Sequence, residues 1–250
     1  MNGKGKFKIF GIIAIAAVIV FSTAACGDAG VDTGGGGGGS GGVTSAPLGE
    51  TLTLSGPVWI NVTYNHENHT WEYEPFDGNA TIAGQHRVGN DVFEEINGTG
   101  AITEGELSFT IGVPAPMFNM SEWFIDQNID VTTSNDNTMG VYLSLAPTPG
   151  DYLDKMNQEI TASSEVTQYV DYVYVDRDLT IIGAYDYFTH TENGETGTEI
   201  TNAFNINLIE GWNAIYIVHK AEWTDTSETN TFTMYAANPG HLRWELFQFQ

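Results

Sequence analysis

The chain has 250 residues, of which 32 are acidic and only eight are basic, so its net charge is −24 at pH 7. Such a surface repels nucleic acid and anionic lipid headgroups and argues against both as partners of the folded part. It favours solubility and the binding of cations or basic macromolecules.

Residues 1–25 have the pattern of a secretory signal peptide. Three lysines precede an apolar run from Ile9 to Phe21, and the small residues Ser22 to Ala25 follow. A basic start, a short apolar stretch and a small-residue cleavage site define such a leader. The alternative is an uncleaved anchor, because the neutral stretch reaches the roughly 17 residues that can span a bilayer. In both cases the lysines keep the N-terminus inside and the rest of the chain is exported.

Cys26 is the only cysteine in the chain and directly follows this leader. The segment Thr23-Ala24-Ala25-Cys26 resembles the lipobox of bacterial lipoproteins, although leucine is usual where Thr23 stands. The resemblance implies cleavage before Cys26 and acylation of its thiol. We therefore predict that a lipid on Cys26 anchors the protein to the cell membrane or the outer membrane. Ordinary cleavage after Ala25 without lipid is the alternative.

Residues 26–49 are rich in glycine and have little to bury, so they are predicted to form a flexible tether. Its average span is roughly 25–30 Å. Removal of the leader leaves five basic residues against 32 acidic ones, a net charge of −27. The five are Arg87, Lys155, Arg177, Lys220 and Arg243.

Apolar and polar residues alternate through much of residues 50–250, which predicts β-strands. The clearest stretches are Leu52–Tyr64, Leu107–Ile111, Val141–Leu145, Tyr172–Val175, Leu179–Ile182, Tyr185–Thr191, Thr196–Leu208, Trp212–His219, Thr231–Ala236 and Leu242–Phe249.

Short turns separate these strands. Asp77-Gly78 and Asn97-Gly98 are typical turn residues, and Asn193-Gly194 predicts a tight hairpin. At Asp176-Arg177-Asp178 the strand that ends at Val175 is expected to turn and return. Two stretches depart from the β pattern and are predicted as short helices, at Ser121–Asp126, where Ser121 would cap the helix, and at Asp151–Ile160.

The fold class that follows is all-β, an antiparallel β-sandwich-like ectodomain with one or two short helices. Two prolines interrupt the pattern at Pro114-Ala115-Pro116, where we place a seam between a first β lobe (residues 50–116) and a second (residues 117–250). One continuous domain is the alternative.

Several segments resemble a group of uncharacterised bacterial surface lipoproteins. They are Tyr172–Ile181, Asn207–Asn213 and Asn238–Trp244 in the second half, with Gly98–Thr103 and Leu107–Gly112 in the first. The resemblance implies an exported, β-rich lipoprotein and implies no catalytic residues.

Metal binding has one weak candidate, the segment His66-Glu67-Asn68-His69. Its two histidines are three residues apart, whereas the zinc-protease pattern places them four apart on a helix. A third ligand from His86, Glu72 or Asp77 is conceivable, but an ordinary polar loop is the stronger interpretation. Weak Ca²⁺ binding is compatible with so many acids, although turn chemistry accounts better for Asp176 and Asp178. We expect no other cofactor.

Recognition has a single candidate, the pair Trp71 and Tyr73, which alternation places on one face of a strand. Exposed rings could stack on a neutral glycan or contact a basic protein, whereas large aromatic side chains are more often buried. The one Gly-x-Ser-x-Gly sequence, at residues 38–42, belongs to the glycine-rich tether and has no strand before it, so it does not predict a nucleophile elbow. We therefore expect a non-enzymatic binding module, with a structural envelope lipoprotein as the alternative and an unrecognised hydrolase as a weaker one.

Overall fold

The computed structural model describes residues 43–44, 47–65, 70–89, 92–120, 131–148, 152–184, 186–192, 195–224 and 226–247. Each complete secondary-structure element within these ranges is a β-strand, which confirms the all-β prediction. The strands are β1 (Val43–Thr44), β2 (Leu52–Asn65), β3 (Thr70–Pro75), β4 (Ala80–Gly89), β5 (Val92–Thr103), β6 (Glu106–Ile111), β7 (Phe118–Asn119), β8 (Val131–Thr133), β9 (Met139–Thr148), β10 (Tyr152–Ile160), β11 (Ser164–Val175), β12 (Leu179–Gly183), β13 (Asp186–Glu192), β14 (Glu195–Thr201), β15 (Phe204–Leu208), β16 (Gly211–Trp223), β17 (Ser227–Tyr235) and β18 (Arg243–Phe247).

The strands form a large sheet of 14 and a small sheet of four. Within the large sheet, β11, β10, β18, β2, β6, β5, β4 and β9 follow one another in space, and β9 pairs again with β11. This circuit is therefore closed. Most pairs are antiparallel, as expected, but β18 runs parallel to β2, β14 to β17 and β1 to β15. The sheets are therefore mixed, because strands from distant parts of the chain lie side by side.

Two long strands close the circuit by changing partners along their length. In β2, Leu52–Pro57 pairs with β6, whereas Val58–Ile60 pairs with β18. In β9, Gly140–Tyr142 pairs with β11, whereas Leu143–Thr148 pairs with β4. Strands that pass from one sheet to the next form the corners of such structures. The main core fills the space inside the circuit and includes Leu54, Phe109, Leu143, Tyr172, Trp212, Trp244 and Leu246.

The small sheet, in the order β1, β15, β12 and β8, contributes to a second core with the outer face of β11 and β16. Val173 and Val175 of β11 lie in this second core with Ile181 and Ile206 of the small sheet. The second half of β11 (170–175) and the first residues of β16 (211–215) are thus buried on both faces.

Because the small sheet forms a separate layer, the connection between β11 and β12 differs from the prediction. The chain turns at Asp176–Asp178 as expected, but β12 does not return alongside β11. It pairs with β15 and β8 in the small sheet, whereas β11 pairs with β10, β16 and β9. The predicted return was wrong because both edges of β11 are already paired. The predicted strand Thr196–Leu208 is likewise divided, into β14 of the large sheet and β15 of the small one.

The predicted helix at Asp151–Ile160 was also wrong, because Tyr152–Ile160 is strand β10. Its leucine, lysine, methionine and glutamate favour a helix when isolated. Here β10 lies between β18 and β11 and pairs with both, so tertiary pairing overrides local propensity. The other predicted helix, Ser121–Asp126, falls outside the described residues.

The expected turn at Asn97-Gly98 was wrong for a packing reason, because both residues lie inside β5. A Cβ added to Gly98 would stand 2.8 Å from Cζ of Phe109, so the glycine makes room for that buried ring. The side chain of Asn97 accepts a hydrogen bond from the backbone N–H of Ala115 and donates one of 2.9 Å to the carbonyl of Val113. Asn97 therefore fixes the proline-containing segment at the predicted seam.

The other two predicted turns fall between strands. Strands β13 and β14 pair as far as Glu192 and Glu195, the residues that flank Asn193-Gly194, which confirms the hairpin. Asp77-Gly78 connects β3 to β4.

The main core contains residues from both sides of the predicted seam, such as Leu54 and Phe109 from the first part and Tyr172 and Trp244 from the second. The folded body also begins within the range predicted as tether. Val43 pairs with Ile206 of β15, and the N–H of Leu48 donates a hydrogen bond of 2.8 Å to the carbonyl of Trp212.

Candidate functional site

Strand β18 carries the residues around which the candidate site forms. It lies between β10 and β2, and its side chains alternate between the two faces of the sheet. Trp244 and Leu246 point into the main core. Arg243 and Glu245 therefore occupy the opposite, outer face. Directly opposed residues share a face, so Asp154 lies beside Glu245 and Lys155 beside Trp244.

On the outer face, Arg243 holds Tyr73 and Glu245 together. Its guanidinium carbon is 3.4 Å from the centre of the Tyr73 ring, a stacked cation–π contact. Its Nε donates a hydrogen bond of 2.9 Å to Oε1 of Glu245. The Glu245 side chain is 3% exposed and the Arg243 side chain 32%, so the arginine covers the carboxylate and remains partly open to solvent. The arrangement presents a cation on an aromatic ring at the surface.

Burial controls the ionisation of this cluster. Loss of solvent and the nearby Glu245 raise the pKa of Tyr73 to about 12. Burial also raises the pKa of Glu245 above its usual value of 4.5, although Arg243 and the phenol of Tyr73 oppose the shift by hydrogen bonding. Tyr73 thus stays a neutral phenol that donates to Glu245 at physiological pH.

Asp154 extends the cluster into the sheet and is 4% exposed. Its Oδ1 has no hydrogen-bond partner within the described ranges. Burial, and then the charge of Glu245, raise the pKa of Asp154 well above its usual value. The same effects, from burial and then from Asp171 and Asp154, raise the pKa of Tyr169. This part of the face is therefore rich in acidic residues, but burial disfavours the charged forms of Asp154 and Tyr169.

A pocket of about 400 Å³ lies next to β18, on the side where Lys155 and Trp244 are neighbours. Lys155 is 7% exposed, and its Nζ is 5.9 Å from the centre of the Trp244 ring. Burial lowers the pKa of Lys155 to about 8. Arg243 also lines the pocket. The remaining lining residues are Ser55, Gly56, Pro57, Gly240 and Leu242.

The predicted aromatic pair lies at the edge of this region. Trp71 and Tyr73 share one face of β3 and are both half-buried, while Glu72 and Glu74 on the other face are exposed. Each ring is thus partly open to solvent. The rings are neither fully exposed, as a stacking surface would be, nor fully buried, as core residues would be. Their part in ligand binding stays a prediction.

The predicted metal site depends on residues that the structure does not describe. His66 and His69 lie outside the described residues. Of the conceivable third ligands, Glu72 and Asp77 are exposed, whereas His86 is buried in the fold. The Nδ1 of His86 accepts a hydrogen bond of 2.9 Å from the N–H of Tyr142, and its ring stacks on Phe118 at 4.1 Å. Burial lowers the pKa of His86 to about 4. Within the described ranges, no group of three or more His, Cys, Asp or Glu residues could hold a metal ion.

The acids considered for Ca²⁺ organise turns. Oδ1 of Asp176 accepts a hydrogen bond of 2.9 Å from the N–H of Met139, and Asp176 forms an ion pair with Arg177. Oδ1 of Asp178 accepts one of 3.0 Å from the N–H of Glu210. These contacts agree with the turn chemistry that the sequence favoured.

Sequence reasoning missed Lys155, Arg243, Glu245 and Asp154 as site residues. The predicted helix at Asp151–Ile160 concealed the pairing that brings Asp154 to Glu245. One signal was present, the scarcity of basic residues: two of only five beyond the leader line one pocket.

The raised pKa of Asp154 generates a prediction about stability. Above pH 3.8, the usual pKa of aspartate, the unfolded chain loses a proton that the folded protein keeps. The free energy of unfolding is therefore expected to fall as pH rises from 3.8 toward the folded pKa. Asp154→Asn should remove this part of the slope, because an amide does not titrate, and should make the protein more stable relative to the wild type at pH 8 than at pH 4, by about 1.4 kcal/mol for each unit by which folding raises the pKa of Asp154.

Urea unfolding followed from pH 4 to pH 8 measures this effect. The matched control is Asp77→Asn, which replaces an exposed aspartate and should leave the slope unchanged. An Asp154→Asn protein with the wild-type pH dependence would contradict the assignment.

Comparison with models of protein families, with curated proteins and with solved structures found no match. The likeness to bacterial surface lipoproteins stays a prediction from sequence patterns. In the part of the chain that the structure describes, no helix is both long and apolar enough to cross a membrane. What the site does has to be inferred from its own geometry.

Proposed function

We propose that the protein is a lipid-anchored, extracytoplasmic binding module whose ligand is a neutral glycan or a basic protein. The observation that carries the proposal is on the outer face, where the partly exposed ring of Tyr73 lies against the guanidinium of Arg243, and the partly exposed Trp71 is two residues away on the same face of β3. Aromatic rings stack on the apolar faces of sugars, and a guanidinium offers directed hydrogen bonds at the edge.

Arg243 is already held in place before a ligand arrives. Its Nε is engaged by Glu245 and its plane rests on Tyr73, so little side-chain entropy is lost on binding. Because Glu245 balances the charge of Arg243, the surface suits neutral hydroxyl groups. This favours a neutral glycan over a basic protein.

The burial of Asp154 and Glu245 favours a binding function over hydrolysis. Two neighbouring carboxyl groups with raised pKa values are typical of acid catalysts. Here both are 4% exposed or less, so a polymer would not reach them. Their role in this proposal is to support the sheet and to orient Arg243.

The anchor and tether set the reach of the module. Residues 27–42, between Cys26 and the first described strand, would span roughly 20–25 Å on average if they behave as a glycine-rich coil. That distance lets the folded part clear the headgroups of the membrane. A binding module gains access from such a tether, whereas a purely structural lipoprotein gains nothing comparable.

Lipidation of Cys26 is tested by Cys26→Ala in the native host. The variant should move from the membrane fraction to the soluble exported fraction and lose incorporation of a labelled fatty acid, because no other cysteine exists to carry the lipid. Retained label in the variant would disprove the anchor.

Glycan binding is tested by retention of the mature protein on neutral polysaccharides such as cellulose, mannan and amylose. Trp71→Ala should weaken retention roughly 5- to 150-fold if the ring stacks on sugar, because stacking of a flat ligand on an aromatic side chain is worth about 1–3 kcal/mol, the range for nucleic-acid bases. Trp223→Ala is the control, because Trp223 is also half-buried but lies at the far end of β16. Equal retention of both variants, or none by the wild type, would favour a structural role.

A further inference from the structure

Strand β17 carries an exposed aromatic ring that is supported by its neighbours. Tyr235 is 43% exposed and is one of four large hydrophobic side chains that lie open to solvent within the described ranges. Tyr216 is directly opposed to it on β16. The two rings stack, with centroids 5.9 Å apart and planes 28° from parallel. Tyr235 therefore presents a flat surface to solvent while its ring rests on a second ring.

Tyr216 is itself held from two sides. It packs against the main core, and the ring of His241 meets it edge-on, with 6.5 Å between centroids and 85° between planes. Nε2 of His241 donates a hydrogen bond of 3.0 Å to Oε1 of Gln168 on β11. This series of contacts fixes the platform before a ligand arrives, so little side-chain entropy is lost on binding.

These residues share one face of the sheet, because directly opposed residues on neighbouring strands point to the same side. Tyr216 is opposed to Tyr235, and Val218 is opposed to Thr233 on β17 and to Gln168 on β11. We call this side of β11, β14, β16 and β17 the tyrosine face. It carries Gln168, Tyr216, Val218, Thr231, Thr233 and Tyr235.

The tyrosine face differs in charge from the rest of the protein. Among the side chains that the structure describes on this face, the charged ones are Lys220 and Glu222, which neutralise each other at 2.8 Å. The opposite face of the same four strands carries Glu165, Glu199 and Glu228. Acids are therefore compatible with these strands but are concentrated on one side of them.

This distribution of charge indicates a neutral ligand. At the centres of interfaces, charged residues are depleted and tyrosine is enriched. The net charge of −27 beyond the leader repels polyanions. A basic protein would find no uncompensated carboxylate among the described side chains of the tyrosine face. An uncharged ligand avoids both costs.

The polar groups near Tyr235 favour a sugar over an apolar protein surface. Thr233 is two residues away on the same face, and its hydroxyl oxygen accepts a hydrogen bond of 2.8 Å from Nδ2 of Asn202. The hydroxyl proton of Thr233 can therefore donate to a ligand, as can the amide N–H groups of Gln168, whose oxygen is engaged by His241. A ring that stacks on a sugar, with hydroxyl and amide groups at its edge, matches a ligand rich in hydroxyl groups.

We propose that the tyrosine face is a second carbohydrate-binding site, at which one unit of a neutral polysaccharide stacks on Tyr235 and its hydroxyl groups bond to Thr233 and Gln168. The site is separate from that of the proposed function. Tyr216 packs on the side of the main core, whereas Arg243 and Glu245 lie on the outer face.

The test is calorimetric titration of the mature lipoprotein, in a detergent without a sugar headgroup, with cellohexaose, mannohexaose and maltohexaose. At least one of these should bind, and Tyr235→Ala should reduce the number of sites per chain by one. Tyr235→Phe keeps the ring and should bind within threefold of the wild type. Phe93→Ala is the matched control, because Phe93 is also 43% exposed but lies on β5, which pairs with neither β16 nor β17. It should keep every site.

A second variant keeps the test valid if Tyr235→Ala does not fold. Thr233→Val retains the branched shape that suits a strand and removes the hydroxyl group. The affinity of the tyrosine face should then fall roughly 2- to 12-fold, the usual effect of one hydrogen bond.

The proposal is overturned if none of the three oligosaccharides binds the wild type, or if Tyr235→Ala keeps every site. Where Tyr235→Ala does not fold, unchanged binding by Thr233→Val overturns it. Dimers of the wild type that Tyr235→Ala dissociates, measured by sedimentation without sugar, would assign the face to a second copy instead. Trp71→Ala separates the two proposals, because it should remove the outer-face site and leave the site at Tyr235 in place. Loss of a site in Trp71→Ala alone supports the proposed function and overturns this inference.

Discussion

Strand β18 pairs antiparallel with β10 on one side and parallel with β2 on the other, and the rest of the structure depends on this double pairing. The last described strand of the chain thereby joins the first long strand to the middle of the sheet. Without it, β2 and β10 would present open edges, and the circuit of eight strands would not close. Trp244 and Leu246 would also leave the main core, each burying apolar surface that contributes on the order of 1.5–3 kcal/mol.

The same pairing determines the chemistry of both faces. Alternation along β18 sends Trp244 inward and Arg243 and Glu245 outward, so a charged pair must be accommodated on a nearly buried surface. A buried carboxylate is tolerated only with compensating contacts. Arg243 and the phenol of Tyr73 provide them for Glu245, while burial and then the charge of Glu245 raise the pKa of neighbouring Asp154. On the inward side, Lys155 is held against Trp244 and borders the pocket.

The fold class could be predicted from the sequence because β-periodicity is local. Strand positions such as Leu52–Tyr64 and the hairpin at Asn193-Gly194 follow from alternation and turn chemistry within a few residues. Errors arose where distant contacts decide the outcome. Strand β10 has a helix-like composition, and Gly98 resembles a turn residue although it serves the packing of Phe109. The crossing of the chain from β11 to β12 depends on a second sheet that no local pattern reveals.

The candidate site was less predictable than the fold for the same reason. Tyr73, Asp154 and Arg243 come from three separate parts of the chain and meet only through the pairing of β10, β18, β2 and β3. Trp71 and Tyr73 could be proposed from the sequence because they are two residues apart. Lys155 and Arg243 could have been noticed only by asking where so few basic residues would be placed in so acidic a protein.

Native-state hydrogen exchange of the backbone amides of β18 tests the central role of this strand most directly. Terminal strands often open locally and exchange quickly. Trp244, Glu245 and Leu246 are the central residues of β18. If β18 closes the circuit, those of their amides that bond to β10 or β2 should exchange only through global unfolding. They should then exchange as slowly as the amides in the buried parts of β11 and β16. Fast exchange in β18 while β11 and β16 stay protected would show that the circuit holds without it, and would contradict this account.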